Sequence, residues 1–153
     1  MWRSFFFWWE VALIDKRREA LNASYAKLEA QLSPHPRLTV PPMHAKVTPV
    51  VDSLQFRIEG ATPAQVDAVI QHVKEKGKLK LARFGADSNA RNWRTWQFIP
   101  GIDSNELPQT DLYIGAALDI RLEPMSDEKI QHMVVSIHAG LDAVLGGAPG
   151  DAP

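Results

Sequence analysis

The chain has 153 residues, 45% of them hydrophobic and 23% charged, which is typical of one globular domain with a core of its own. Its formal net charge of -1 gives the whole protein no general attraction for nucleic acid or anionic lipid. The chain has no cysteine, which excludes disulfides, thiolate metal sites, iron–sulfur clusters and cysteine nucleophiles.

The first 32 residues predict a long helix. An aromatic run at 5–9 is followed by a charged run at 15–19, and apolar residues recur at helical spacing over about 5–32, before Pro34 and Pro36. The apolar part is shorter than the roughly 20 residues of a membrane helix and carries no signal-peptide cleavage site. We therefore expect a cytoplasmic protein without a membrane span.

The middle of the chain predicts an extended connection, a strand and a helix. Five prolines between 33 and 52 favour the connection, and alternation of apolar and polar residues over 54–58 indicates a half-buried strand. Thr62 and Gln65 form a capping box around a proline, which marks a helix start, and Gly77 marks its end.

The remaining pattern predicts more strands and a final helix. We expect strands at Lys78–Phe84, Trp93–Phe98 and 118–122, a short helix at 110–117, and a last helix capped by Ser126. The prediction is one α+β domain over residues 1–145, with one sheet of about four strands and helices packed against it. Residues 146–153 are expected to form a flexible tail.

Three segments share their layout and short motifs with a known family. Glu10–Leu28 carries an arginine pair and a tyrosine, Leu54–Gly77 ends in Glu-Lys-Gly, and Leu118–Ile130 combines a strand, a turn and an acidic helix start. In these features the chain resembles the small C-terminal domain of fold-type I, pyridoxal-phosphate (PLP)-dependent aminotransferases. The nearest branch is the sugar aminotransferases of the DegT/DnrJ/EryC1/StrS type.

The resemblance implies which part of the enzyme is present. In that family the catalytic lysine, the aspartate on the pyridine nitrogen and most phosphate ligands lie in a large domain, which would precede residue 1. No lysine here takes the catalytic role by motif, so we expect no catalytic residue and no cofactor in isolation. The resemblance thus implies a stand-alone module, with PLP-dependent aminotransferase activity only if a large domain completes it.

A basic segment offers a second hypothesis. Between Lys74 and Arg94 seven residues are basic and two acidic, and arginines alternate with tryptophans. Such side chains can hold a carboxylate or a sugar phosphate, or stack on single-stranded nucleic acid. They can equally be core tryptophans with solvated arginines. The candidate ligand-binding residues are Arg83, Arg91, Trp93, Arg94 and Trp96.

Two further patterns bear on metals and partners. The five histidines lack the spacing of a zinc site, so no metal is expected. The N-terminal aromatics either fold back on the domain's own sheet or form an exposed apolar patch. In the second case we expect a homo-oligomer, with a dimer favoured, or docking on a separate large domain. The candidate interface residues are Trp2, Phe5, Phe6, Trp8 and Trp9.

Overall fold

The computed structural model describes residues 3–47, 49–96, 98–100 and 107–146, and for residues 3–12 the backbone alone. Trp2 and the predicted tail from 147 onward lie outside the described residues, as do the side chains of the other candidate interface aromatics. The elements in chain order are α1 (Arg3–Leu32), β1 (Leu38–Thr39), β2 (Ser53–Ile58), α2 (Pro63–Lys76), β3 (Ala82–Arg83), a 3-10 helix (Trp93–Thr95), α3 (Pro108–Ala116), β4 (Ala117–Arg121) and α4 (Asp127–Leu145).

The described strands form one antiparallel sheet in the order β1-β2-β4-β3, which confirms the α+β prediction. Strands β2 and β4 are the central pair, with Leu54 opposite Ile120 and Phe56 opposite Leu118. These four side chains lie on one face of the sheet and are at most 4% exposed. Because successive strand residues point to opposite faces, the residues between them belong to a second, more polar face.

Helices α1, α2 and α4 cover the apolar face. The core combines the sheet side chains with Leu28 and Leu32 of α1, Val69 of α2 and Ile137 of α4. Helices α2 and α4 approach closely at Gly140, where an added Cβ would lie 2.8 Å from Cγ2 of Val73. A glycine is therefore required at this crossing unless Val73 moves.

Helix boundaries agree closely with the predictions. Oγ1 of Thr62 accepts a hydrogen bond from the Gln65 amide and the Gln65 side chain accepts one from the Thr62 amide, so the capping box is confirmed. Oγ of Ser126 accepts from the Lys129 amide at the start of α4. These caps are local, which is why short sequence motifs predict them.

The strand predictions are less accurate. The predicted strand Lys78–Phe84 shrinks to Ala82–Arg83, because Lys78 has a positive φ of 54° and the Leu79 amide turns back to the carbonyl of Val73. The short strand β1 pairs Leu38 with Ile58 inside the stretch predicted to be only a connection.

The predicted strand Trp93–Phe98 is wrong. Trp93–Thr95 forms a 3-10 helix, and Oδ1 of Asn92 accepts a hydrogen bond from the Arg94 amide at its start. An asparagine side chain that binds nearby backbone groups in this way competes with strand pairing. The sheet therefore has four strands, but β1 takes the place expected for this segment.

Candidate anion-binding site

The polar face of the sheet carries a buried carboxylate. Asp119 lies between Leu118 and Ile120 on β4 and is only 5% exposed. Nη1 of Arg91 donates to its Oδ2 at 2.7 Å, and the Arg91 guanidinium stands 4.9 Å from the ring centre of Phe84. A buried carboxylate is costly without a cation, so Arg91 compensates Asp119 as well as facing solvent.

Trp93 and Arg94 share one carboxylate on α3. Nε1 of Trp93 donates to Oδ1 of Asp111 at 2.9 Å, and Nη2 of Arg94 donates to Oδ2 at 2.6 Å. The Arg94 guanidinium also lies 5.7 Å from the centre of the Trp93 ring. Trp93 is 2% exposed, so its ring packs inside the protein and offers no face to a ligand.

Arg83 and Trp96 lie at the two ends of the candidate segment. Nε of Arg83, on β3, is 3.2 Å from Oδ1 of Asp67 on α2, an ion pair in which this buried nitrogen does not donate a hydrogen bond. Nε1 of Trp96 donates to the carbonyl of Ala90 at 2.8 Å, and its ring stacks on Phe98 with 6.2 Å between centres. Each arginine among the candidate residues thus has an acidic partner within the chain.

A cleft on the polar face gathers part of the predicted set. It has a volume of about 570 Å³, within the range of small-molecule sites. Arg83 and Arg91 line it, whereas Trp93, Arg94 and Trp96 do not. The full lining is Lys80, Ala82, Arg83, Ser88, Asn89, Ala90, Arg91, Asp119 and Arg121. Whether these residues bind a ligand stays a prediction.

Sequence reasoning missed Lys80, Ser88, Asn89, Asp119 and Arg121 as neighbours of Arg91. They come from the segment before β3, from the loop between β3 and the 3-10 helix, and from β4, and the pairing of β3 with β4 brings these segments together. The one usable signal was the alternation in β4, which places Asp119 and Arg121 on the same face of the sheet.

The lysines are the side chains that could hold PLP covalently. All eight are exposed, and Lys27 and Lys129 form surface ion pairs with Asp127 and Glu123. A catalytic lysine has to sit in an enclosed cleft that holds the rest of the cofactor. None of the eight lysines is buried in the structure.

Two histidines meet between the end of α1 and α4. The rings of His35 and His138 are 4.7 Å apart, and Nε2 of His35 lies 3.3 Å from Oδ1 of Asp142. Burial, and then the neighbouring His35, lowers the pKa of His138 below 6.5. Within the described residues no group of three His, Asp or Glu side chains could hold a metal ion.

Comparison with known proteins shows what this fold is similar to. No protein-family profile and no curated protein sequence matches the chain. Among solved structures it is similar to the aminotransferase TlmJ from Streptoalloteichus hindustanus, with a TM-score of 0.70 and 16% identity over 87% of this chain and 34% of that one. It is also similar to Spr1654 from Streptococcus pneumoniae, a protein assigned as a sugar aminotransferase. The TM-score is 0.72 and the identity 13%, over 86% of this chain and 32% of that one.

A third structure, 3-amino-5-hydroxybenzoic acid synthase, gives a TM-score of 0.70 at 13% identity, over 84% of this chain and 35% of that one. The chain therefore spans about a third of the length of each of these three proteins and has the fold of that third. This confirms the expected resemblance at the level of the fold. No described helix is long and apolar enough to cross a membrane.

Proposed function

We propose that this chain is the small-domain module of a PLP-dependent aminotransferase, closest to the DegT/DnrJ/EryC1/StrS sugar aminotransferases, and that it is not catalytic alone. The observation that carries the proposal is the fold match, which covers most of this chain but about a third of each enzyme. The eight exposed lysines support the second part, since none offers an enclosed amine. We further propose a cytoplasmic location.

Titration with PLP tests this proposal. The isolated chain should give the absorbance of free PLP and show no saturable visible band at a tenfold excess of PLP. A sugar aminotransferase of known activity serves as the positive control. A stoichiometric band that persists in protein after borohydride reduction would contradict the non-catalytic part of the proposal.

A second candidate function is the binding of a small anion. Four cationic side chains and one carboxylate line the 570 Å³ cleft, although the whole chain has a net charge of -1. Binding of single-stranded nucleic acid is less well supported, because base stacking needs exposed aromatic faces and the candidate Trp93 is buried, which leaves the half-buried Trp96 beside the exposed Phe98.

The proposed partner is a second copy of this chain or a separate large domain. Leu13 and Ile14, which continue the apolar N-terminal segment along α1, are 46% and 62% exposed. The described core contacts of α1 begin only at Leu21 and continue to Leu32. Light scattering should give a dimer, and Leu13→Glu with Ile14→Glu should give a monomer, whereas Arg94→Ala should leave the dimer intact.

A further inference from the structure

The cleft on the polar face contains one cation that is not neutralised. Nη1 of Arg91 is taken by Asp119, Nη1 of Arg121 by Asp52, and Nε of Arg83 lies against Asp67. Lys80 lines the same cleft and forms no ion pair among the described residues. A ligand of opposite charge would complete the set.

Lys80 shares its part of the cleft with a second positively charged side chain, Arg121. Lys80 lies two residues before Ala82, and Arg121 lies two residues after Asp119, the strand partner of Ala82, so both lie beyond the end of the β3–β4 pairing. Both side chains also line a second cleft, of about 280 Å³, so they form the ridge between the two.

The chemistry of the free donors favours one class of anion. A planar arginine fork binds carboxylate or phosphate through two parallel hydrogen bonds, and the three arginines here each have acidic partners already. A lysine acts as a point charge that suits phosphate oxygens. The Ser88 hydroxyl lies in the same lining and donates no hydrogen bond within the described chain.

We propose that the 570 Å³ cleft binds a phosphate monoester or inorganic phosphate, with Lys80 as its main cationic contact, Arg121 as a neighbouring positive charge and Ser88 as a hydroxyl donor. This inference rests on the second candidate function and gives it a ligand class. It is independent of the proposed role as an aminotransferase module. Carboxylates are the competing ligand.

The test is a titration of the isotope-labelled chain followed by NMR, with inorganic phosphate, glycerol 3-phosphate and succinate at equal ionic strength. Both phosphates should shift the amide resonances of 80–91 and 119–121 in a saturable way, and succinate should bind several-fold more weakly. Lys80→Gln should weaken phosphate binding by about tenfold, the loss expected for one charge-assisted hydrogen bond.

Matched variants separate a site from general charge attraction. Lys46→Gln removes the same charge from an exposed lysine that lines neither cleft, and it should change phosphate affinity less than twofold. Arg121→Gln should weaken binding as well, and its ion pair with Asp52 is exposed, so the variant should fold. Arg91 is left intact because it compensates the buried Asp119.

Each other outcome overturns a defined part of the proposal. Succinate binding as tight as phosphate binding would keep the anion site and refute the assignment to phosphate. An equal loss in Lys80→Gln and Lys46→Gln would show attraction by net charge and refute the cleft. No saturable shift with any of the three anions would refute both this inference and the second candidate function, and would leave the PLP test unaffected.

Discussion

The buried side chains on the two faces of the sheet are stabilised by different kinds of interaction. On the apolar face, Phe56 and Leu118 are at most 1% exposed and pack against three helices. On the polar face, the buried carboxylate of Asp119 depends on one guanidinium from a loop. The apolar face is stabilised by close packing over a large buried area. The polar face is stabilised by a few hydrogen bonds and ion pairs between residues that are far apart in the chain. The polar face is therefore both less robust and better suited to bind an anion.

The largest expected effect lies on the apolar face. Phe56→Ala removes a ring that is 1% exposed in the centre of the core, and it should lower the free energy of unfolding by about 3–5 kcal/mol. Gln55→Ala, at the exposed neighbouring position, should change it by less than about 0.5 kcal/mol. Urea denaturation measures both. A loss below that of Gln55→Ala would mean that Phe56 is not in the core.

A smaller effect is expected on the polar face. Arg91→Ala leaves Asp119 buried without its cation and should cost about 1–3 kcal/mol, less than for a fully buried pair because Arg91 is partly exposed. Arg94→Ala breaks an ion pair nearer the surface and should cost less than about 1 kcal/mol. A double-mutant cycle of Arg91→Ala and Asp119→Ala should show coupling. Additive losses would refute the pairing.

The smallest effect depends on pH. Because burial lowers the pKa of His138, the folded state favours its neutral form, and unfolding takes up a proton below the ordinary value of 6.5. The stability that His138 contributes is therefore complete above that value and is lost as the pH falls from about 6.5 through the lowered pKa. His35 and Asp142 are the titratable groups that face it.

Chemical denaturation at pH 7.5 and pH 5.5 checks this prediction. The wild type should be less stable at pH 5.5, and His138→Gln should reduce that difference, whereas His44→Gln, at an exposed position, should not. A hydrogen bond from Thr39, and then Arg57, lowers the pKa of Glu59 below 4.5, so its titration falls outside this interval. An unchanged difference in His138→Gln would show that another group causes it.

The same contrast explains what the sequence could predict. The caps at Thr62 and Ser126 use residues three positions apart, and the core stripe of α4 follows from helical period, so both are readable locally. The burial of Asp119 depends on Arg91, which is 28 residues away in the chain. Periodicity carries no information about such a pair, so the sequence did not predict most of the residues that line the cleft.

The segment around Trp93 shows a second reason why the sequence did not predict the whole structure. Its aromatic and β-branched residues have strand propensity, but Asn92 starts a 3-10 helix and Asp111 binds the Trp93 indole. The sequence prediction weighed side-chain type and missed these polar contacts. Such contacts also decide which candidate residues face the cleft and which pack inside the protein.

The central proposal is that this chain, which has the fold of an aminotransferase small domain, forms no covalent complex with PLP by itself. Borohydride reduction of the chain with PLP, followed by peptide mass analysis of each lysine, tests it most directly. We expect low modification spread over the eight exposed lysines, with no saturation at one equivalent. Stoichiometric modification of a single lysine, abolished by replacing that lysine with glutamine, would contradict the account.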